Sequence, residues 1–189
     1  MKKPATVSYP IMAELSDRWS PRAFDADHEL STDELGQLFE AARWSASSSN
    51  SQPWSFVVGR RGDDTFDMIL GLLASGNAVW AHRASALVVN IVEEVSEAGK
   101  PQSAAHYDVG QAAAHLSIQA THMGLIVHQM GGFDKDGMHQ ALGLDERHRP
   151  IVVMAVGAIG QKSDLPDDIQ VREVADRTRK PLSDVVSGL

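Results

Sequence analysis

Ser47-Ser48-Ser49-Asn50-Ser51-Gln52-Pro53-Trp54 sets six hydroxyl or amide side chains in a row and closes them with a proline and a tryptophan. Before it, Leu35, Leu38, Phe39 and Ala42 recur at helical spacing; after it, Phe56-Val57-Val58 reads as a strand. The polar row is therefore a helix-to-strand connection with many hydrogen-bond donors and acceptors in a short length of chain. Such a loop suits a polar, planar ligand with a hydroxylated tail. Taken alone it serves equally as a serine-rich turn, because these residues favour turns for local reasons.

Outward from this loop the elements alternate loosely. Ser31-Thr32-Asp33-Glu34 is a capping box that starts the preceding helix, which runs to about Trp44. A strand is expected near 54–59, then a helix through Phe66, Ile69, Leu70 and Leu73, capped by Asp63 or Asp64 and broken by Ser75-Gly76-Asn77. Ala86 to Val92 reads as a buried strand, and Glu93 to Ser103 as a mobile loop or lid. A long helix follows from Tyr107, with Val109, Ala112, Ala113, Leu116, Ala120 and Met123 on one face and Gly124 at its end. Then come a strand over 125–130, a glycine corner, a short helix over 134–142, a strand over 151–159, and a polar, basic tail from Gln161. With no regular βαβ cadence and no dinucleotide glycine fingerprint, the pattern predicts an α+β fold with a mixed sheet.

The 189 residues, 43% hydrophobic and 22% charged, fit a single domain spanning 1–189. The net charge of −8 argues against a general nucleic-acid binder, and no apolar run is long enough to cross a bilayer. With no cysteine and no apolar stretch behind Met1-Lys2-Lys3-Pro4, a cytoplasmic protein is expected. In this acidic chain five of the eleven arginines cluster toward the two ends: Arg18 and Arg22, then Arg172, Arg177 and Arg179 with Lys180. Guanidinium forks match phosphate oxygens, so Arg18-Trp19-Ser20-Pro21-Arg22 suits a phosphate and a polar neighbour. Singly, each cluster reads equally well as solvated surface charge, and the tail as a disordered one. His128-Gln129-Met130-Gly131-Gly132-Phe133 ends a strand with a double glycine, which permits close backbone approach or simply a turn.

Taken in order, R-W-S-P-R-A-F-D, A-S-S-S-N-S-Q-P-W after E-A-A-R, G-N, the glycine loop and R-T-R-K-P-L resemble the FMN-dependent nitroreductase family, from Arg18 to about Val186. The resemblance implies a largely antiparallel central sheet flanked by helices, in a homodimer with flavin sites at the subunit interface. It implies that Arg18, Trp19, Ser20 and Arg22 hold FMN, with Arg18 on the phosphate and Arg22 near the N1–O2 edge. Ser47, Ser48, Asn50 and Gln52 match the loop given by the second subunit. Asn77 matches a contact to the ring's polar edge, Gln129, Met130, Gly131 and Gly132 a loop facing N5–O4, and Arg177 and Arg179 the C-terminal phosphate pair. Relatives often carry an acid where Gly131 stands.

The implied activity passes reducing equivalents from NADH or NADPH to nitroaromatics, quinones or similar small acceptors by a ping-pong mechanism. Flavin N5 carries the chemistry, with no catalytic side chain, no nucleic-acid or membrane partner and no metal. Alternatives are specialised flavin chemistry, such as reductive dehalogenation or flavin fragmentation, and a non-catalytic flavin-binding module. His115 and His122, two turns apart on one helix, are too distant to share a metal ion, and no nucleophile elbow is present.

Overall fold

Four strands form the platform on which the molecule is built: β1 (Trp54–Arg60), β2 (Ala86–Glu93), β3 (Ile126–Met130) and β4 (His148–Gly157). In the computed structural model, which describes residues 3–188, they lie in the order β1-β2-β4-β3. Each described pairing is antiparallel. The α+β expectation holds, but the sheet is antiparallel at every described pairing and not mixed.

β2 is central, and Ala86 to Val92 is buried throughout, so its sequence reads as a continuous apolar run rather than an alternation. Leu87, Val89 and Ile91 face a core with Phe66, Ile69, Trp80 and Ile169. Val88 faces the opposite core with Leu38, Ala112 and Leu116. The helices supplying these layers are α1 (Ala13–Asp17), α2 (Thr32–Arg43), α3 (Asp64–Gly71), α4 (Ser75–Ala81), α5 (Ala105–His122), α6 (Lys135–Ala141) and α7 (Asp167–Val174). α2 and α5 cover one face of the sheet; α3, α4, α6 and α7 cover the other.

Local chemistry sets several boundaries. Ser31 Oγ accepts the Glu34 N–H while the Glu34 carboxylate accepts the Ser31 N–H, completing the capping box of α2. Asp63 accepts the Phe66 N–H and starts α3. α5 stops at Gly124, whose φ of 75° suits glycine.

Two further expectations from the sequence are corrected. Ser75-Gly76-Asn77 does not break a helix but opens α4. The break falls at residues 72–74, because Leu72 O accepts the Asp134 N–H and Ala74 N–H donates to Gly132 O, drawing this stretch into a bridge with the glycine corner. The basic tail is not structureless: it contains α7, whose Ile169 and Glu173 are buried. Residues 93–103 form a small closed turn, with Val95 bridged to Pro101 and the Gln102 amide donating to Glu93.

Residues 22–25 join the sheet's end through Phe24, which bridges Ile159. Gly160 N–H donates to Ala23 O at 2.7 Å, and a Cβ on Gly160 would stand 2.5 Å from Phe24 backbone atoms. Gly160→Ala should therefore push this segment off the sheet. The expected loss is about 2 kcal/mol of stability, or about 5 °C in Tm for a chain of this size; calorimetry of the variant checks it.

Candidate functional site

β3 is an edge strand, and the extended segment from Arg18 to Ala23 runs beside it. At one end Arg18 and Trp19 line a cleft with Leu125 and Ile126. Farther along, Pro21 O lies 2.9 Å from His128 Nδ1. A carbonyl only accepts, so Nδ1 carries the proton. The imidazole packs on Trp80 at 4.5 Å, and Trp80 stacks on Phe24 at 6.1 Å. Burial pushes the His128 pKa down to about 4, the nearby Arg22 charge adding to the shift against the bond to Pro21 O. Next along the segment, the N–H groups of Arg22 and Ala23 donate to the buried carboxylate of Glu173.

The near end of this groove is strongly cationic. Arg18, Arg177, Arg179 and Lys180 line a hollow of about 650 Å³. Burial, then the charges of Arg177 and Arg179, hold the Arg18 pKa below its ordinary value. Among the described residues, none of these three arginines forms an ion pair. Arg177 is occupied otherwise: Nη1 donates to Ser16 O and Lys3 O, and Nη2 to Arg18 O. Arg177 thus ties the C-terminal tail to both N-terminal turns, while Arg18 and Arg179 present their charge to the hollow. Lys3 packs over Trp19, its ammonium 4.5 Å from the ring centroid. These guanidiniums are partly desolvated and repel one another, with the Asp17 charge acting on Arg177 in the opposite sense, so the hollow favours negative charge.

At the far end Asn77 and Gly132 meet. Asn77 Nδ2 and the Ala74 N–H both donate to Gly132 O at 3.0 Å, and a Cβ on Gly132 would lie 3.1 Å from Asn77 Nδ2. Gly131 faces open space. The Met130 side chain is buried in the core, leaving only its backbone for a ligand. Gln129 donates its amide to Ser117 Oγ at 3.0 Å. From Ile126 to Gly132 the chain spans about 20 Å at the strand rise per residue.

The loop from Ser47 to Gln52 lies elsewhere. It enters β1, the opposite edge of the sheet, about 14 Å from β3 by three strand spacings. Ser49, Asn50 and Gln52 have φ of 53°, 54° and 49°, a left-handed geometry costing about 1 kcal/mol or more per non-glycine residue. The turn is held by the Ser48 N–H to the buried Asp108 carboxylate at 3.0 Å and by the Gln52 N–H to Ser47 Oγ at 3.1 Å.

Of the residues singled out from sequence, Arg18, Trp19, Ser20, Arg22, Asn77, Gln129, Met130, Gly131, Gly132, Arg177 and Arg179 therefore lie along one edge of the fold. Ser47, Ser48, Asn50 and Gln52 do not join them within one chain. Sequence reasoning gave no role to Lys3 or Glu173, took His128 only as the start of the glycine-corner segment, and set Asp108 aside. Asp108 looks like ordinary helix-start compensation, and Glu173 like one more polar residue in a polar tail.

An α+β fold with an arginine-lined hollow at one end of an edge strand is the class these features define. The Nitroreductase family model matches residues 15–88 and 71–158. An oxidoreductase containing FMN, known from its crystal structure, superposes with a TM-score of 0.91 at 35% identity over 97% of this chain and 94% of that one. An uncharacterized 15.4 kDa protein of Mycolicibacterium smegmatis is 38% identical over 141 residues, 69% of this chain and 92% of its own length. The major NAD(P)H-flavin oxidoreductase of Aliivibrio fischeri is 42% identical over a shorter stretch of 52 residues, 28% of this chain and 24% of that protein. The chain belongs to the Nitroreductase family.

His128 gives a pH signature. Its folded value, about 4, lies below the unfolded value near 6.5, so the unfolded chain binds more protons between them. The stability contributed by neutral His128 is complete above about pH 6.5 and lost as pH falls toward 4, on the order of 3 kcal/mol in all. Denaturant unfolding across this range should show that slope in the natural chain and a flatter one in His128→Asn, which keeps a donor for Pro21 O but does not titrate.

Proposed function

We propose that this protein is an FMN-dependent oxidoreductase that passes reducing equivalents from NADH or NADPH to small acceptors such as nitroaromatics or quinones, working as a homodimer. The observation carrying this reading is the cation cluster Arg18, Arg177 and Arg179, without ion-pair partners among the described residues, near one end of edge strand β3, whose other end leads into the Asn77–Gly132 corner, where Gly131 faces open space. That donor set fits a cofactor with a phosphate at one end and a flat polar ring at the other. Similarity to an FMN-containing oxidoreductase over nearly the whole chain supports it.

Arg18 and Arg179 would hold the phosphate with charge-assisted bonds, and Arg177 would keep the two chain ends in place around it. Asn77 and the backbone at Gly131 and Gly132 would orient the ring's polar edge, with no bulky side chain at Gly131 to obstruct approach. Arg22 would supply positive charge at the ring end, where electron transfer places negative charge. Bound there, the isoalloxazine supplies hydride chemistry at N5, so no side-chain acid or base is assigned. Reductant and acceptor would take turns at one face, the ping-pong order. A cytoplasmic setting, with its pyridine nucleotides, suits this reaction, and no described helix is long and apolar enough to cross a membrane.

The loop from Ser47 to Gln52 would reach the groove from a second copy, because in one chain it lies at the sheet's other edge. Strained, hydroxyl-rich backbone held by Asp108 is the kind of rigid surface that a shared site requires.

Fluorescence titration with FMN tests the phosphate assignment. Arg179→Ala should weaken FMN binding tenfold or more, about 1.4 kcal/mol or above, while riboflavin binding and Tm stay near those of the natural chain. Arg177→Ala should weaken FMN binding and also lower Tm, because the bonds to Lys3 O, Ser16 O and Arg18 O are lost. Equal loss of FMN and riboflavin affinity in Arg179→Ala would refute the phosphate role.

Co-refolding tests the shared site. A chain carrying Arg18→Ala and Arg179→Ala mixed with one carrying Ser48→Pro should recover roughly half the flavin sites of the natural dimer per mixed dimer, since one interface is then intact. No recovery in mixed dimers would place both segments of each site in the same chain.

A further inference from the structure

Two carboxylates are buried among the described residues, Asp108 and Glu173. Glu173 is the more enclosed, 1% exposed, and comes from α7. Its Oε1 accepts the N–H groups of Arg22 at 2.9 Å and Ala23 at 3.1 Å, and Oε2 lies 3.1 Å from the same Arg22 nitrogen. Anchoring this backbone requires only a neutral acceptor, since one oxygen already receives both N–H groups. A full negative charge in such a place carries a desolvation cost that backbone amides alone do not require.

The charge has one ion-pair partner among the described residues, the Arg22 guanidinium, whose Nη1 is 3.7 Å from Oε2. That separation is longer than a hydrogen bond, so the guanidinium pairs with the carboxylate through charge alone. Lys3 does not compete for the carboxylate: its ammonium donates to the main-chain carbonyls of Glu173 and Ala175. Arg172, one residue before Glu173 in the chain, adds a second positive charge acting on Arg22. The ring end of the groove thus holds two guanidiniums and one enclosed carboxylate.

We propose that Glu173 is a positioning residue with an electrostatic role: it fixes the backbone that carries Arg22 and offsets part of that cation's charge, and so lowers the reduction potential of the bound flavin. This rests on the FMN reading above. A positive charge beside the ring favours the form that has gained electrons, and a carboxylate behind it opposes that effect. The site then retains a cation for orientation without holding electrons too tightly to pass them to an acceptor.

Spectroelectrochemical titration of the flavin-loaded protein tests this. Glu173→Gln keeps an oxygen for both N–H groups and removes the charge. Flavin content and Tm should stay close to those of the natural chain, while the equilibrium ratio of reduced to oxidised cofactor rises about tenfold, or about 30 mV for a two-electron couple. Glu173→Ala should lower Tm in the cofactor-free protein, because the anchor is lost. Arg22→Gln, which leaves Glu173 unopposed, should shift the potential the opposite way, and this variant decides the matter if Glu173→Gln does not fold. A natural chain that loads FMN, with a potential unmoved in Glu173→Gln or Arg22→Gln, overturns the electrostatic role alone. A natural chain that takes up no FMN overturns the cofactor reading beneath it.

Discussion

The architecture of the candidate site depends on seating one ladderless stretch of backbone, residues 18 to 25, against the end and edge of the sheet. Such a segment must satisfy its N–H and C=O groups by other means. Pro21 O receives the His128 imidazole, Arg22 and Ala23 N–H groups go to Glu173, and Ala23 O and Asp25 N–H exchange with residues 160 and 158. The partners come from three separate places, so the segment is seated only when β3, α7 and the stretch just after β4 are all in place. Arg177 then closes the arrangement by binding carbonyls of both N-terminal turns from the far end of the chain.

Charge and strain are used differently at the two edges of the sheet. Along β3 the unfavourable term is repulsion among guanidiniums, which an anion relieves. At the entrance to β1 it is left-handed backbone at Ser49, Asn50 and Gln52, offset by the buried Asp108 carboxylate and by bonds internal to the turn. Both are local sacrifices of stability within a fold that is otherwise conventionally packed, and both coincide with the segments that carry the family resemblance.

Much of the fold was legible because its signals are local. The Ser31–Glu34 box, the Asp63 cap, the apolar run of β2 and the glycine after α5 each depend on residues within a few positions of one another. α7 was not legible: its buried face consists of Ile169 and a glutamate, so apolar periodicity had almost nothing to register. The start of α4 was misjudged because Ser75-Gly76-Asn77 has turn composition, whereas the interruption is caused by contact with residues 132–134, distant in sequence. For the candidate site, the sequence identified the arginines and glycines but not the uses to which they are put. That Arg177 binds carbonyls of the N-terminal segment while Arg18 and Arg179 form no ion pair among the described residues, or that Glu173 underlies Arg22, depends on tertiary neighbours which no spacing rule encodes.

The position of the arginine-lined segment beside β3 has a consequence for the molecule's behaviour in a crowded solution. An edge strand with free amides and carbonyls is a template for another chain to dock upon, the first step toward fibrillar assembly. Here Pro21, which has no N–H to offer an incoming strand, and the like charges of Arg18 and Arg22 stand guard over that border. The features that make the border hospitable to a small anion also make it inhospitable to an intruding polypeptide.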